Sequence, residues 1–259
     1  MNSSGSNPTS PSTSIGGKTA VAHQERYGWE VELPDTDTDF DVDQASQLLN
    51  QLNQRIAAQG GGLARWRVPN FRESHTQAAA TAGYSGERIL VRLHRSLPLE
   101  WPAEILSTRP FVPGEDDLEW LKTNNAAFSW HPEQGNWHQA ELAQQMAEPW
   151  FDPKGFLLYP PTRPGDPIAG FCWTKLDPPE TGPKGEIYVI ATHPDAAGRG
   201  LGKALVLAGL KHLYEAGAKE AYLYTEADNT AAMAIYENLG FELELQVRVY
   251  EKHVAALAS

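Results

Sequence analysis

The sequence predicts an α/β (α+β) fold in which a mixed, mostly antiparallel sheet is flanked by helices. Segments with apolar residues at helical spacing alternate along the chain with short runs of β-branched and aromatic residues. Glycine and proline clusters separate these segments, as they do at turns. The chain has 259 residues, of which 41% are hydrophobic and 21% are charged. That composition is typical of a globular protein with a core, and the length allows one large domain or two small ones.

The first third of the chain divides into a polar tail and a short series of elements. Residues 1–25 are rich in Ser, Thr, Pro, Gly and Asn and lack apolar periodicity, so we expect a disordered tail. Apolar residues from Ala45 to Ile56 recur at helical spacing, and Gly60 marks the end of that helix. The predicted elements are a helix over 41–58, a strand over 63–68, a helix over 73–82 and a strand over 87–95.

The rest of the chain contains a longer mixture of elements. Strands are predicted over 104–110, 155–159, 168–175, 186–192, 221–226 and 241–251, and helices over 115–128, 137–147, 200–216 and 229–239. In the first of these helices, the spacing of Leu118, Leu121 and Ala126 predicts that they face the core. Two prolines within 97–102 indicate a linker. The predicted parts are therefore a tail over 1–25, a small domain over 26–96, the linker 97–102 and a larger domain over 103–259.

Charge and composition argue against several classes of protein. A formal net charge of −12 is unfavourable for nucleic-acid binding and compatible with a cationic substrate. No apolar run approaches the length of a membrane span, and no signal-peptide pattern opens the chain, so we expect a cytoplasmic protein, and a monomer. Cys172 is the single cysteine, which excludes an internal disulfide. The eight histidines lack the spacing of metal ligands, and we expect no metal.

A glycine-rich loop between a predicted strand and a predicted helix is the sharpest local signal. It reads Ala197-Gly198-Arg199-Gly200-Leu201-Gly202-Lys203. Glycines let backbone N–H groups converge on an anion, and a helix N-terminus adds partial positive charge, so the pattern favours a phosphate or pyrophosphate site. A flexible turn is the alternative. The Walker pattern is excluded because alanine follows the lysine where Ser or Thr is needed, and the dinucleotide pattern because its third glycine is absent.

Two motifs in this region resemble the GNAT acetyltransferase superfamily. The loop resembles that superfamily's [Q/R]-x-x-G-x-[G/A] signature, except that Ala197 stands at the first position. The segment NTAAMAIYENLGF, from Asn229 to Phe241, resembles the helix and strand that follow the loop in the superfamily. The resemblance implies a GNAT fold in the C-terminal domain and acetyl-CoA as co-substrate. We expect the departure at Ala197 to weaken acetyl-CoA binding rather than abolish it, because the loop works through backbone N–H groups.

Further strings narrow the resemblance to the mycothiol synthase family. They are HPEQG at 131–135, EPWFDP at 148–153, GFCWTK at 170–175, GEIYV at 185–189 and LYTEADN at 223–229. That family has two GNAT-like domains, with the chemistry in the second. Residues 42–95 resemble only the last helix–strand–helix–strand portion of the first domain. The resemblance therefore implies that a partial GNAT-like remnant, without the first strands and the first CoA loop, precedes the catalytic domain.

The resemblance also implies a reaction. It is transfer of acetyl from acetyl-CoA to the cysteinyl amine of 1D-myo-inositol 2-(L-cysteinylamino)-2-deoxy-α-D-glucopyranoside, called the cysteinyl pseudodisaccharide below. Two alternatives stay open: a GNAT enzyme for another amine, such as an antibiotic or a protein N-terminus, and a CoA-binding module without catalysis.

The resemblance carries roles onto particular residues. Glu186 is expected as the general base and Tyr236 as the acid that protonates the leaving thiolate, while Glu133, Lys175, Glu186 and Tyr224 are expected to contact the amine substrate. The expected acetyl-CoA contacts are Ile190, Ala191, Thr192, Ala197, Gly198, Arg199, Gly200, Leu201, Gly202, Lys203, Asn229, Thr230, Ala231, Ala232, Met233 and Ala234. Because alternate side chains of a strand share a face, Glu186, Tyr188 and Ile190 should point the same way.

Overall fold

The computed structural model describes residues 10–25, 28–34, 41–131, 134–161, 163, 165–198 and 200–257. In chain order the strands are β1 (Ser12–Ile15), β2 (Lys18–Glu25), β3 (Gly28–Glu32), β4 (Gly62–Pro69), β5 (Ser85–Ser96), β6 (Arg109–Pro110), β7 (Phe156–Tyr159), β8 (Gly170–Leu176), β9 (Lys184–Thr192), β10 (Glu220–Glu226) and β11 (Glu242–Val254). The helices are α1 (Val42–Ala58), α2 (Glu73–Thr81), α3 (Asp117–Ala127), α4 (Gln139–Met146), α5 (Leu201–Glu215) and α6 (Thr230–Asn238). The described residues fall into two compact units, the first within Met1–Val91, Glu226–Asp228 and Leu245–Ser259, the second within Arg92–Thr225 and Asn229–Glu244.

The first unit is built on strands in the order β1-β2-β3-β4-β11. Neighbouring strands run antiparallel except β3 and β4, which are parallel. Helix α1 begins after Asp41, whose carboxylate accepts hydrogen bonds from two N–H groups of the first turn. The apolar stripe of α1, from Leu48 to Ile56, is fully buried in a core that includes Trp29 and Trp66. Helical spacing in the sequence thus predicts this helix and its buried face correctly.

The prediction of a disordered tail over 1–25 is wrong for residues 10–25, which form β1 and β2. Ala20 and Ala22 of β2 are fully buried in the core of the first unit, and the side-chain amide of Gln44 on α1 donates to the carbonyl of Ile15. Small residues contribute little to a hydropathy pattern, yet they allow close packing of a strand against a helix. The first unit therefore has three strands before α1, where the sequence predicted none; residues 1–9 lie outside the described residues.

The second unit contains the predicted mixed, mostly antiparallel sheet. Its strand order is β5-β10-β9-β8-β7-β6, with β9 and β10 parallel and the pairs from β9 to β6 antiparallel. Helix α5 lies directly on one face, because a Cβ added at Gly209 would stand 2.4 Å from Sγ of the buried Cys172. On the other face, Trp173 stacks on Phe156 with ring centroids 4.2 Å apart, and Trp120 packs edge-on against both.

Four details of the predicted organisation are corrected. The linker at 97–102 belongs to the second unit, where Leu97 is buried and its N–H donates to the carbonyl of Lys219 at 2.8 Å. The second domain does not run unbroken to the C-terminus, because β11 passes into the first unit at Leu245. The strand predicted over 104–110 shrinks to β6, and Leu118 is 58% exposed while Trp120 faces the core instead. Among the helices of the described residues, none has the length and apolar character needed to cross a membrane.

Candidate functional site

Strands β9 and β10 pair over only part of their length. Their parallel register joins Lys184–Ile187 to Glu220–Leu223, and both strands continue beyond it, β9 as far as Thr192. On its other edge, β9 stays paired with β8 up to Thr192. The backbone of Tyr188–Thr192 therefore has one edge that the described register with β10 does not use. Ile190, Ala191 and Thr192, three of the expected acetyl-CoA contacts, lie along this edge and are partly exposed.

The glycine loop follows β9 after a short 3-10 turn, Pro194–Ala196, and leads into α5. Gly198 and Gly200 have φ of +79° and +74°, in the left-handed region, and Gly200 is the N-cap of α5 with no side-chain cap bond. A Cβ added at either glycine would meet no atom of the described chain within 4 Å, so the loop has open space in front of it. Ala197, the first residue of the loop, ends the 3-10 turn, and Leu201, Gly202 and Lys203 form the first turn of α5. Arg199 lies outside the described residues. Open glycines at a helix N-terminus fit an anionic phosphate group.

Helix α6 begins where β10 ends. The Asn229 side chain caps it by accepting a hydrogen bond from Ala232 N–H at 3.2 Å, which places Thr230–Ala234 in the first turns. Tyr236 lies further along the helix, is 6% exposed and packs against Phe241 with ring centroids 5.6 Å apart. Burial raises the pKa of the Tyr236 phenol well above its ordinary value, so the hydroxyl keeps its proton at neutral pH.

Glu186 lies at the centre of a polar cluster on the sheet. It stands opposite Lys175 of β8 and opposite Tyr222 of β10 in the strand registers. Its Oε2 atom is 3.9 Å from Lys175 Nζ and 3.5 Å from the Tyr222 hydroxyl, and the side chain is 12% exposed. Burial raises the pKa of Glu186; the Lys175 ammonium opposes that shift and the carboxylate of Asp177 adds to it. A carboxylate with a raised pKa is a stronger base than an exposed one.

Aromatic rings and a second cation surround this carboxylate. Lys175 Nζ lies 4.9 Å from the ring centroid of Trp150, and the Arg92 guanidinium lies 4.1 Å from that of Tyr222. Tyr224, two residues along β10 from Tyr222, is 48% exposed. The cluster thus combines charged groups, aromatic faces and hydroxyls, the groups that hydrogen-bond and stack on a polyhydroxyl ligand.

The structure brings together three of the five residues expected to contact the amine substrate or to transfer protons. Glu186, Lys175 and Tyr224 occupy one face of adjacent strands, while Tyr236 lies on α6 without a direct contact to them among the described residues. Glu133 lies outside the described residues. Among the described residues, no three His, Cys, Asp or Glu side chains are grouped so that they could hold a metal ion.

Sequence reasoning missed four members of the cluster: Tyr222, Asp177, Arg92 and Trp150. The alternation of side chains along β10 could have predicted Tyr222, because it lies two residues before Tyr224 and so shares its face. No sequence signal predicts Arg92, which comes from a strand far away in the chain.

Comparison with known proteins decides the family. Residues 119–241 match the acetyltransferase (GNAT) family. The chain is 45% identical over 195 residues to a mycothiol acetyltransferase of Nocardia farcinica, which aligns 73% of this chain with 64% of that protein. It is 37% identical over 238 residues to the mycothiol acetyltransferase of Acidimicrobium ferrooxidans, covering 86% of this chain and 74% of that protein. The chain belongs to the mycothiol acetyltransferase family, within the GNAT acetyltransferases.

The fold comparison agrees with this assignment. A crystal structure of a GCN5-related N-acetyltransferase from Sphaerobacter thermophilus matches with a TM-score of 0.68 and 21% identity, covering 93% of this chain and 78% of that one. The predicted GNAT fold and the resemblance to the mycothiol synthase family are therefore confirmed. The chain spans 64% of the length of the Nocardia relative that it matches.

Proposed function

We propose that this chain transfers the acetyl group of acetyl-CoA to the cysteinyl amine of the cysteinyl pseudodisaccharide, the last step in making mycothiol. The observation that carries the proposal is the position of Glu186, a buried carboxylate with a raised pKa on the strand that ends in the glycine loop. Lys175 and Tyr224 on the neighbouring strands supply polar contacts for the sugar and inositol hydroxyls. The Nocardia relative is named a mycothiol acetyltransferase, which supports this assignment.

The GNAT family uses acetyl-CoA, and the described residues fit it. Acetyl-CoA would supply the acetyl group. Backbone N–H groups of the loop from Ala197 to Lys203 would hold its pyrophosphate, because Gly198 and Gly200 leave the approach open. The edge of β9 that is not paired with β10 would offer backbone groups at Ile190–Thr192 to the rest of the molecule. The capped first turns of α6, Asn229–Ala234, complete the expected contacts.

In this proposal two side chains handle protons. Glu186 takes a proton from the substrate ammonium, whose ordinary pKa is about 7.7–8.0, and the burial that raises the pKa of Glu186 makes its carboxylate a stronger base for this transfer. The Tyr236 phenol, kept protonated by burial, donates a proton to the leaving thiolate. The amine nitrogen loses its second proton as the amide forms, and that proton restores the phenol. Backbone N–H groups on the free edge of β9 are donors for a carbonyl oxygen.

The proposal extends to the compartment, the oligomeric state and the substrate class of the protein. We propose that the protein acts in the cytoplasm as a monomer on a small-molecule amine, without metal, nucleic acid or membrane. The formal net charge of −12 supports a cationic amine over a polyanion.

The decisive experiment compares amines under one assay. The purified chain is incubated with acetyl-CoA and the cysteinyl pseudodisaccharide, the same pseudodisaccharide without cysteine, an aminoglycoside or a short peptide, and mass spectrometry detects the product. Acetylation of the cysteinyl amine, with its thiol still free, is the expected result. Preferential acetylation of the aminoglycoside or the peptide would favour another GNAT amine acetyltransferase. Acetyl-CoA binding by calorimetry with no product from any amine would favour a CoA-binding module.

A further inference from the structure

A tyrosine and a second carboxylate connect Glu186 to the outside of the sheet. The Tyr222 hydroxyl donates a hydrogen bond to Asp177 Oδ1 at 2.6 Å and lies 3.5 Å from Glu186 Oε2. A phenol has one proton and two acceptor lone pairs. With its proton directed to Asp177, the Tyr222 oxygen is left with lone pairs that can accept from a protonated Glu186.

Tyr222, the middle group of this series, is the most buried at 7% exposed, and the Glu186 side chain is 12% exposed. Asp177 is partly exposed and follows the end of β8, and Pro178 beside it is exposed. The three side chains therefore form a continuous route from the buried base to solvent.

We propose that Tyr222 and Asp177 carry the proton that Glu186 removes from the substrate amine out to solvent. This inference rests on the proposed function. The N–H bond of the ammonium breaks as Glu186 Oε2 gains the proton, and Glu186 then donates that proton to the Tyr222 oxygen. In the same step the original O–H bond of Tyr222 breaks, and its proton passes to Asp177 Oδ1 and then to water. Glu186 ends as a carboxylate and Tyr222 as a phenol, and rotation of the new O–H back towards Asp177 resets the route for the next turnover.

The other charged or titratable side chains around Glu186 do not offer this route. They are Lys175 on β8, Tyr188 on β9, Tyr224 on β10 and Arg92 on β5. The lysine and arginine heads carry donors only, so they cannot accept a proton. The Tyr188 hydroxyl donates to the side-chain oxygen of Gln145 at 2.9 Å, so its proton is directed to an amide rather than to a carboxylate. Tyr224 has no described hydrogen bond to either carboxylate in the part of the chain that the structure covers.

A first test uses the protein without substrates. The pKa of Glu186 is followed by ¹³C NMR of its carboxyl group, assigned by the signal that disappears in Glu186→Gln. Because the carboxylate of Asp177 raises this pKa, Asp177→Asn should lower it, and Tyr222→Phe, which removes the hydroxyl 3.5 Å from Oε2, should also shift it. Tyr214→Phe on α5, which removes a hydroxyl elsewhere in the second unit, should leave it unchanged. An unchanged Glu186 pKa in both Tyr222→Phe and Asp177→Asn would overturn the coupling.

A second test measures turnover in dilute and in concentrated imidazole buffer, a small proton acceptor. In dilute buffer, kcat should fall at least ~10-fold in both Tyr222→Phe and Asp177→Asn. This loss is smaller than the roughly 10²–10⁴-fold that general acid–base catalysis contributes, because Glu186 itself is still present. Imidazole should restore Asp177→Asn, because it can replace an acceptor at the surface, but not Tyr222→Phe, where the interior link is missing. KM for acetyl-CoA should stay constant, and Tyr214→Phe should behave as the wild type. A loss through structure alone would not respond to buffer.

The outcomes separate the two proposals. A wild-type chain that acetylates none of the amines refutes the proposed function. An active wild type whose Tyr222→Phe and Asp177→Asn variants keep kcat within about twofold in dilute buffer refutes the proton route alone. Because Asp177 is partly exposed, its substitution tests the route even if Tyr222→Phe fails to fold.

Discussion

Replacing Glu186 with glutamine keeps the shape of the side chain and removes the carboxylate that can accept a proton. The Lys175 head and the Tyr222 hydroxyl, 3.9 and 3.5 Å from Oε2, can still contact the new amide, so β9 should keep its packing. The loss is therefore expected in the chemical step. General-base catalysis contributes about 10²–10⁴-fold. At ~1.4 kcal/mol per tenfold, that corresponds to about 3–5 kcal/mol of activation free energy.

The pH dependence of kcat/KM provides a second test of Glu186 as the base. Burial raises the pKa of Glu186 against the opposing charge of Lys175, so kcat/KM of the wild type should fall as pH drops through that raised value. Glu186→Gln should remove this acid limb and leave the limb of the substrate amine, near pH 7.7–8.0 at roughly its ordinary pKa. The folding stability changes with pH in the opposite direction to kcat/KM. A carboxyl whose folded pKa is raised loses stability as pH rises past its unfolded pKa, so the glutamine variant should melt at the same or a higher temperature at neutral pH.

The assay is the initial rate of product formation, measured by mass spectrometry from acidic to alkaline pH, with thermal unfolding recorded on the same preparations. Glu180→Gln, which neutralises an exposed carboxylate in the turn after β8, is the matched control and should retain wild-type rates. KM for acetyl-CoA should be nearly unchanged in both variants. A folded Glu186→Gln protein whose kcat lies within about threefold of the wild type at neutral pH would refute the assignment of Glu186 as the base.

Three further predictions follow from other parts of the chain. Gly200→Asp places a carboxylate at a left-handed loop position and should raise KM for acetyl-CoA at least ~10-fold. Gly182→Asp, at another open left-handed glycine, is the control and should leave KM unchanged. Equal KM values in the two variants would refute the loop assignment. Removing residues 1–25 deletes β1 and β2 and exposes β3 as an edge, so the melting temperature should fall by roughly 5 °C or more, and an unchanged melting curve would contradict this. Asp116→Asn should cost about 1–2 kcal/mol in urea unfolding at neutral pH, since Asp116 accepts two bonds from the half-exposed Arg109 at 2.6 and 2.7 Å. Hydrogen bonding to Arg109 lowers the pKa of Asp116, so this stability should be lost as pH falls through the lowered value; a variant with the same acid sensitivity as the wild type would argue against the pair.

Sequence reasoning succeeded where the signal is local. The helix over Val42–Ala58 follows from apolar spacing, an Asp41 cap and a terminating glycine, all within one segment. The glycine loop and the Asn229 cap are also short-range features, and the structure has Gly200 at a helix N-terminus and Asn229 capping the next helix. Such features depend on the conformations of a few consecutive residues, which their own side chains largely decide.

Sequence reasoning failed where a segment is stabilised by distant partners. Residues 10–25 contain little apolar area, and they form strands because a helix face and a sheet edge elsewhere in the chain accept small residues such as Ala20 and Ala22. Leu118 fits the helical spacing but faces solvent, because the bulky Trp120 takes the place against Phe156 and Trp173.

By itself, the sequence determined the family, the order of most helices and strands, the loop after β9 and the identity of Glu186 as the carboxylate to test. Only the tertiary structure decided that β11 returns to the first unit and that Glu186 meets Tyr222 and Asp177. The physical reason is that neighbours in a sheet are set by strand order rather than by chain order: β8, β9 and β10 lie side by side, with α5 between β9 and β10 in the chain. Distances between side chains on adjacent strands, and the burial that raises the pKa of Glu186, exist only once that order is formed.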